Sequence, residues 1–344
     1  GNVRMKFLKI LTVIVMVSVI AIAAAGFWLF TNQPSLAHFE ARVIGTTTDD
    51  TSSRVTVSWL GNTNVLVTDG ETAILTDAWF TRPSDLEILF GRIGPDLGAI
   101  DRALERAEID QLAAVIPVHS HFDHAMDAPE VAERTGAMLV GSESTANIGR
   151  GWGLADESIR VATPGQAMSF GDFQVTLFES RHFEFPNPLL RRGASELTEI
   201  TEPLQPPVRV TEYAEGDSYS VLIVHPDASV LIQGSAGYLP GALKGIDVDA
   251  VFLSVGGIGG QTERYQSNYW AYIVNATTPE KLFPVHWDSF THRLGERPQA
   301  PNLFWDQVFG LQADASIQWA FDRAAEDPLL QAGMPPLWEP VSIP

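Results

Sequence analysis

The stretch Val118–Asp127, VHSHFDHAMD, concentrates three of the chain's eight histidines, together with two aspartates. It follows a wholly apolar run typical of a buried strand. His119 and His121 lie two residues apart at the end of that run, so their side chains project the same way, and Asp123 and His124 follow in a turn. Imidazole and carboxylate together suit zinc, iron or manganese, and a chain without cysteine offers no thiolate ligand. The stretch predicts a metal site; a chance cluster of polar side chains is the competing interpretation.

The sequence around this stretch alternates between strand and helix patterns. Short β-branched runs separated by Gly, Asn and Asp, such as RVTVSWLG, NVLVTDG and TAILTDAWF, predict successive strands. A hairpin is expected to turn at Gly171-Asp172, and one helix, NLFWDQVFGLQA, is expected after Pro301. Residues 183–216 have no clean period and predict a long functional insertion. This order of elements predicts a layered α/β protein.

The spacing His-x-His-x-Asp-His resembles the signature of the metallo-β-lactamase superfamily. The opening WLGNTNVLV, the helix APEVAERTG and the strand order are similar too, from about Arg54 to about Asp288. LFESRH, ending at His182, and FPVHWD, containing His286, look like the places of the family's two remaining histidines. The opening most resembles the branch of L-ascorbate-6-phosphate lactonase and the N-acylphosphatidylethanolamine phospholipase D enzymes. The resemblance implies a four-layered αββα sandwich with metals at one edge of its two sheets.

The resemblance also implies which side chains bind metal. One divalent ion would be held by His119, His121 and His182. The second would be held by Asp123, His124 and His286. Zinc is the expected metal, with manganese and iron as alternatives. Asp123 is the expected catalytic residue, as a general base or by orienting a metal-activated hydroxide.

Three further positions bear on this site. Ser235 stands where the family usually carries an aspartate that bridges both metals, and a neutral hydroxyl is a poor bridging ligand. We therefore expect either a single ion or a weakly held pair. Asp77 is expected to support a ligand histidine or simply to occupy a turn. His292 is a candidate for hydrogen bonding to substrate, or a residue without a role in the site.

Residues 1–30 predict a membrane anchor. The run from Ile10 to Phe30 is uncharged, and a helix of that length covers about 30 Å, enough to span a bilayer. Basic residues precede the run and none follows it closely, which places the N-terminus in the cytoplasm and the main domain in the periplasm. A cleaved signal peptide, cut near Ala23–Ala25, is the competing interpretation. We expect a polar linker over 31–53 and one domain over 54–344.

Charge and the insertion narrow the class of partner. A net charge of −20 disfavours a nucleic-acid partner, because phosphate backbones are repelled. The insertion places Arg191 and Arg192 beside apolar side chains, which suggests either a wall with a cationic rim over the site or a structural loop.

These features predict a membrane-tethered metal-dependent hydrolase of an ester, lactone or phosphodiester, acting on an amphiphilic, lipid-like substrate with an anionic head. The loop and strand-end residues do not resemble those of dedicated resistance enzymes, which disfavours β-lactams as main substrate. The alternative is an accessory subunit of a membrane protein complex that keeps the fold without the chemistry.

Overall fold

Two seven-stranded sheets form the centre of the protein in a computed structural model that describes residues 2–44, 54–185 and 198–343. The strands of the first sheet are β1 (Thr56–Trp59), β2 (Val65–Thr68), β3 (Ala73–Thr76), β4 (Ala114–Ile116), β5 (Met138–Gly141), β6 (Ile159–Val161) and β14 (Pro340–Ser342). Their order in space is β14-β1-β2-β3-β4-β5-β6. The strands of the second sheet are β7 (Met168–Phe170), β8 (Phe173–Glu179), β9 (Tyr219–His225), β10 (Ala228–Gln233), β11 (Ala250–Ser254), β12 (Lys281–Val285) and β13 (Gln331–Ala332). Their order is β13-β12-β11-β10-β9-β8-β7.

The helices fall before, between and outside the sheets. Their bounds are α1 (Asn2–Thr31), α2 (Asp85–Phe90), α3 (Leu97–Arg106), α4 (Phe122–Ala125), α5 (Ala128–Thr135), α6 (Glu143–Trp152), α7 (Glu263–Thr277) and α8 (Ala313–Ala324). Several begin with side-chain caps that satisfy the free N–H groups of the first turn; Ser142, for example, accepts from Thr145 N before α6.

Alternation along the strands of the first sheet creates the layers. On β2, Val65 and Val67 join the core between the two sheets, whereas Leu66 faces the opposite way and packs in a second cluster. That second cluster includes Ile100 of α3 and Val131 of α5. On the other side, α7 and α8 add apolar side chains to the core cluster that contains the second sheet. The result is the four-layered αββα sandwich that the sequence predicts, because a strand offers alternate side chains to its two faces.

The direction of the strands brings five chain segments to one edge of the sandwich. β3, β4, β5 and β6 run parallel, as do β10, β11, β12 and β13. The segments that follow β3, β4, β8, β10 and β12 carry Asp77, the histidine stretch, His182, Ser235 and His286. The chain end returns to the first sheet, where β14 pairs antiparallel with β1.

The segment expected as a polar linker is in part folded onto the domain. A 3₁₀ helix spans Ala37–Arg42, and within it Phe39 is only 2% exposed and belongs to the main core. Ile44 N donates to Met334 O at 3.0 Å. The buried Phe39 ring and this backbone hydrogen bond attach the stretch to the domain. The polar residues around Phe39 gave no indication of this attachment in the sequence. Residues 45–53 lie outside the described part of the chain.

The C-terminal tail also differs from the single helix expected after Pro301. A π-helical turn covers Phe304–Phe309 and ends at Gly310, whose φ of 102° breaks the helix. A separate helix, α8, then begins after Gln312. Of the expected insertion over 183–216, residues 186–197 lie outside the described ranges, and residues 198–216 contain one short 3₁₀ helix, Val210–Glu212.

Helix α1 is long and apolar enough to cross a membrane. Its apolar window lies within Arg4–Thr31 and has a mean hydropathy of 2.7, with none of that window buried against the rest of the protein. By length and composition it fits both a membrane span and a signal sequence near the N-terminus. Its last turn contacts the domain, where Phe30 stacks on Phe304 with ring centroids 4.6 Å apart.

Candidate metal centre

The first donor group consists of His119, His121 and His182, whose ligand atoms lie within 4.8 Å of one another. His119 and His121 follow β4, and His182 follows β8 of the other sheet. His119 Nε2 lies 3.1 Å from His121 Nδ1. His182 Nδ1 donates to Phe183 O at 2.8 Å, so its Nε2 keeps the lone pair that a metal needs. This group therefore joins the two sheets at their common edge.

The second donor group consists of Asp123, His124 and His286, again within 4.8 Å. Asp123 and His124 lie on the short helix α4, and His286 follows β12 with φ at 61°. Asp123 Oδ2 lies 3.3 Å from His124 Nε2 and 3.4 Å from His286 Nε2. The two imidazole Nε2 atoms are 3.2 Å apart. The second group adjoins the first, because the His119 and His124 rings have centroids 3.9 Å apart.

These distances fit a metal ion better than they fit a hydrogen-bonded cluster. Two ligand atoms of a tetrahedral zinc site, each about 2.0–2.1 Å from the ion, lie about 3.3–3.4 Å apart. The three pairwise distances in the second donor group, 3.2, 3.3 and 3.4 Å, match that edge length. The two Nε2 atoms face each other, as two ligand atoms of one ion do. The chemistry of the donors therefore suits a divalent metal.

Asp77 fixes the orientation of His124. Its Oδ2 lies 2.8 Å from His124 Nδ1, and both side chains are fully buried. Its Oδ1 accepts from Val118 N at 2.8 Å, and the Thr63 hydroxyl donates to Oδ2. A carboxylate can only accept, so Nδ1 carries a proton, and Nε2 is the nitrogen that faces the second donor group and would bind a metal. Asp77 has φ at 59°, a left-handed conformation that aspartate tolerates better than most residues.

Burial and neighbouring charge set the protonation of the donors. Burial lowers the pKa of His121 to about 3, and the nearby His182 adds to this effect. Burial also acts to lower the pKa of His124, but the carboxylates of Asp123 and Asp77 outweigh it and raise that pKa to about 10. Burial acts to raise the pKa of Asp123, yet His124 and His286 hold it well below the ordinary value. Without a metal, a proton on His124 therefore balances the two carboxylates, and a bound cation would take over that role.

The remaining predicted positions have different surroundings. Ser235 lies at the same edge but belongs to neither donor group; its hydroxyl accepts from Phe183 N at 2.8 Å. His292 sits in a turn, where its Nδ1 lies 2.8 Å from Ser289 Oγ. Arg191 and Arg192 lie outside the described residues. Ser235 thus holds the segment that carries His182, which the sequence did not indicate.

Three supporting residues were missed by the sequence reasoning. Asn62 O accepts from His286 N at 3.1 Å, and the Asn62 amide group donates to Asp123 O. Asn62 N in turn donates to Asp288 Oδ1 at 2.8 Å, and Arg82 pairs with Asp288 Oδ2 at 3.1 Å. The Arg82 and Asp288 side chains are 0% and 2% exposed. No motif marks these residues, because their partners are more than 60 positions away in most of these contacts.

A third group of potential ligands, Asp69, Asp172 and His225, lies in hairpin turns at the opposite edge of the sandwich. His225 Nδ1 accepts from Asp227 N at 3.1 Å, which leaves the proton of a neutral ring on Nε2. A protonated nitrogen cannot bind a metal. The tautomer of His225 therefore distinguishes this group from the two donor groups, in which ring nitrogens are available to bind a metal.

The comparisons with known proteins identify the family of this chain. The family model of the metallo-β-lactamase superfamily matches residues 57–286, which includes every donor. The chain belongs to the metallo-β-lactamase superfamily. Its branch within the superfamily stays a prediction.

Among curated proteins, a UPF0173 metal-dependent hydrolase from Myxococcus xanthus (strain DK1622) is 27% identical over 133 residues, which cover 38% of this chain. The match spans 40% of that relative's own length, less than half of it.

Three solved structures are similar in fold. Igni18, a metallo hydrolase from Ignicoccus hospitalis, is 15% identical with a TM-score of 0.45, covering 83% of this chain and 97% of its own. YhfI from Bacillus subtilis, described as a metallo-β-lactamase fold protein, is 13% identical with a TM-score of 0.43, covering 67% and 85%. CmlA, a diiron β-hydroxylase from Streptomyces venezuelae, is 11% identical with a TM-score of 0.44, covering 83% and 53%.

Proposed function

We propose that this protein is a metal-dependent hydrolase, tethered to a membrane by α1, that cleaves an ester, lactone or phosphodiester of an amphiphilic substrate. The observation that carries the proposal is the geometry of the second donor group, whose three ligand atoms lie 3.2–3.4 Å apart and face one point. The first donor group would hold one ion and the second donor group a second, with zinc as the favoured metal. A bound divalent cation supplies an activated water and polarises a carbonyl or phosphoryl oxygen.

The protein's own residues would prepare and complete the reaction. Asp123, ionised because its pKa is well below the ordinary value, would orient the attacking water and take its proton. Asp77 holds a proton on His124 Nδ1, so that Nε2 is the nitrogen that would bind the metal. Ser235 and Phe183 fix the segment that carries His182, so that both sheets contribute to one rigid site.

A continuous row of aromatic rings supports the proposal that the substrate has an apolar part. Neighbouring rings in this row have centroids 4.6–6.2 Å apart, and it runs from the last turn of α1 to the first donor group through Phe30, Phe304, Trp305, Phe309, Phe185 and His182. Such a row offers apolar contact to an acyl chain that leaves a bilayer near α1 and reaches the metal centre. The polar end of the substrate would then lie at the donors.

The membrane tether would place the catalytic domain outside the cytoplasm. Basic residues Arg4, Lys6 and Lys9 precede the apolar part of α1, which favours a cytoplasmic N-terminus and a periplasmic domain. Fusing a reporter that is active only in the periplasm to the C-terminus tests this orientation. An inactive reporter on membrane-bound protein would contradict it.

Metal content and hydrolysis, measured on the same preparations, test the enzymatic part. The full chain purified in mild detergent should contain about one or two equivalents of metal and hydrolyse at least one long-chain ester, lactone or phosphodiester. His119→Ala should lose both, whereas His38→Ala, which changes a half-exposed histidine far from the donors in sequence, should keep both. Intact protein that takes up no metal would contradict the proposal and favour the accessory subunit of a membrane complex.

Chain-length dependence tests the substrate class separately. Replacing Phe309 by serine should raise KM for a long-chain substrate more than for its short-chain analogue, because only the long chain reaches the aromatic row. Equal effects on both substrates would leave the hydrolase proposal standing and refute the amphiphilic substrate.

A further inference from the structure

A second cavity, separate from the metal centre, is rich in arginine. Its volume is about 550 Å³, and none of the six donor residues lines it. It lies between α2, α3 and the segment around Leu294, with Trp338 at one wall. We call it the arginine cavity after its five arginines, Arg82, Arg92, Arg102, Arg106 and Arg293. These are five of only 22 basic side chains in a chain of net charge −20.

The acidic side chains in the lining are engaged elsewhere. Glu87 accepts from Ser84 N at 2.8 Å and closes the capping box of α2. Asp96 accepts from Ala99 N at 3.1 Å and caps α3. Both carboxylates therefore serve the free N–H groups of a helix start, not the arginines across the cavity.

Two of the arginines, Arg92 and Arg106, are held by groups that do not neutralise them. Arg82 alone among them has a carboxylate partner within 4.0 Å in the described residues, Asp288. Arg92 donates to Pro207 O at 3.2 Å. Arg106 donates to Gly295 O at 3.1 Å, and its guanidinium lies 5.0 Å from the ring centroid of Trp338. Carbonyl oxygens and an aromatic face orient these cations but leave their charge available.

Helix stability does not explain this arrangement. Arg102 and Arg106 are four residues apart on α3, and like charges at that spacing destabilise a helix. The acidic residues beside them, Asp101 and Glu105, do not line the cavity. Arg82 is buried and the other four arginines are exposed, so the cavity presents several like charges to solvent, and an anion bound among them would reduce their mutual repulsion.

We propose that the arginine cavity binds a ligand bearing a phosphate group, as a soluble phosphate ester or as a lipid headgroup. The planar guanidinium donates two parallel hydrogen bonds to phosphate oxygens, which is why arginine suits this anion. The cavity volume lies in the range of small-molecule sites and exceeds what inorganic phosphate fills, so the ligand carries an organic part. This site shares no donor residue with the metal centre.

Binding of glycerol 3-phosphate to the full chain in mild detergent, followed by calorimetry at constant ionic strength, tests the proposal. Wild type should bind the probe, and Arg102→Gln with Arg106→Gln should weaken binding at least about tenfold. The matched control is Arg160→Gln with Arg264→Gln, which removes two exposed arginines outside the cavity and should leave binding unchanged.

A metal-centre variant separates this site from the first donor group. His119→Ala should bind glycerol 3-phosphate as wild type does, because His119 does not line the arginine cavity. Loss of binding in that variant, equal binding by the Arg102/Arg106 variant and wild type, or no binding to wild type would each overturn the proposal.

Nanodiscs distinguish the two sources of phosphate. If the ligand is a lipid headgroup, nanodiscs containing phosphatidylglycerol should block glycerol 3-phosphate binding and nanodiscs of phosphatidylcholine should not. If it is a soluble ester, binding should persist in both, still with the dependence on Arg102 and Arg106.

Discussion

Asp77→Asn is expected to weaken metal binding at the second donor group while leaving the first intact. In the native protein, Asp77 Oδ1 accepts from Val118 N at 2.8 Å and Oδ2 lies 2.8 Å from His124 Nδ1. Asparagine has one oxygen, and Val118 N–H can only donate, so the oxygen stays with Val118 and the NH₂ group turns to His124. His124 Nδ1 must then accept, and the ring proton moves to Nε2, the atom that would bind the metal.

The size of the effect follows from this change of tautomer. Loss of the carboxylate behind a metal-bound histidine weakens metal affinity about 10- to 100-fold, which corresponds to about 1.4–2.7 kcal/mol. The fold should survive, because asparagine tolerates the φ of 59° at this position and the Val118 hydrogen bond is kept. In the described residues, no hydrogen bond or ion pair joins Asp77 to a side chain of the first donor group. The metal affinity of that group should therefore be unchanged.

Two measurements check this reasoning. Titration of metal-free protein with zinc against a competing chelator should show weaker binding at the second donor group in Asp77→Asn and unchanged binding at the first. The nitrogen chemical shifts of labelled histidines should report the proton on His124 Nε2. Asp172→Asn, a change in a hairpin turn at the opposite edge, is the matched control and should match wild type. Unchanged zinc affinity at both sites, with an unchanged tautomer, would refute the role assigned to Asp77.

Three further changes are expected to alter stability, each measured by urea unfolding in mild detergent. Burial raises the pKa of Asp127 from 3.8 to about 6. The protonated side chain therefore contributes fully to the free energy of unfolding below pH 3.8, and this contribution is lost as the pH rises through about 6. Asp127→Asn should therefore remove about 1 kcal/mol of the fall in unfolding free energy between pH 5 and 7; parallel pH curves for both proteins would contradict this. Arg82→Ala should cost about 3–5 kcal/mol, because it leaves Asp288 buried without its partner, and a cost below 1 kcal/mol would argue against that ion pair. Ser235→Ala should cost about 1 kcal/mol through the lost acceptor of Phe183 N, while an unaltered midpoint would show that this bond is not needed.

The elements with a strong local pattern were predictable from the sequence. The β2 and β3 strands, the helix after the histidine stretch and the hairpin at Gly171-Asp172 lie where alternation, helical spacing and turn residues indicated. Short or irregular elements were not. The 3₁₀ helix around Phe39 and the break at Gly310 depend on contacts with distant parts of the chain, which local patterns do not contain.

By itself, the sequence predicted the metal donors and the strand ends that carry them, partly from the histidine stretch and partly from the family resemblance. A histidine cluster after an apolar strand needs no partner to be recognised, because residue type and spacing limit what its side chains can bind. Only the tertiary structure showed how close the donors of each group lie, which nitrogen of His124 faces Asp77, and that His225 Nδ1 accepts a hydrogen bond from Asp227 N. Only the tertiary structure also places arginines of α3 and of distant loops around one cavity. The distances between donors, their burial and the direction of their hydrogen bonds depend on contacts between segments that are remote in sequence. The packing of the two sheets determines those contacts.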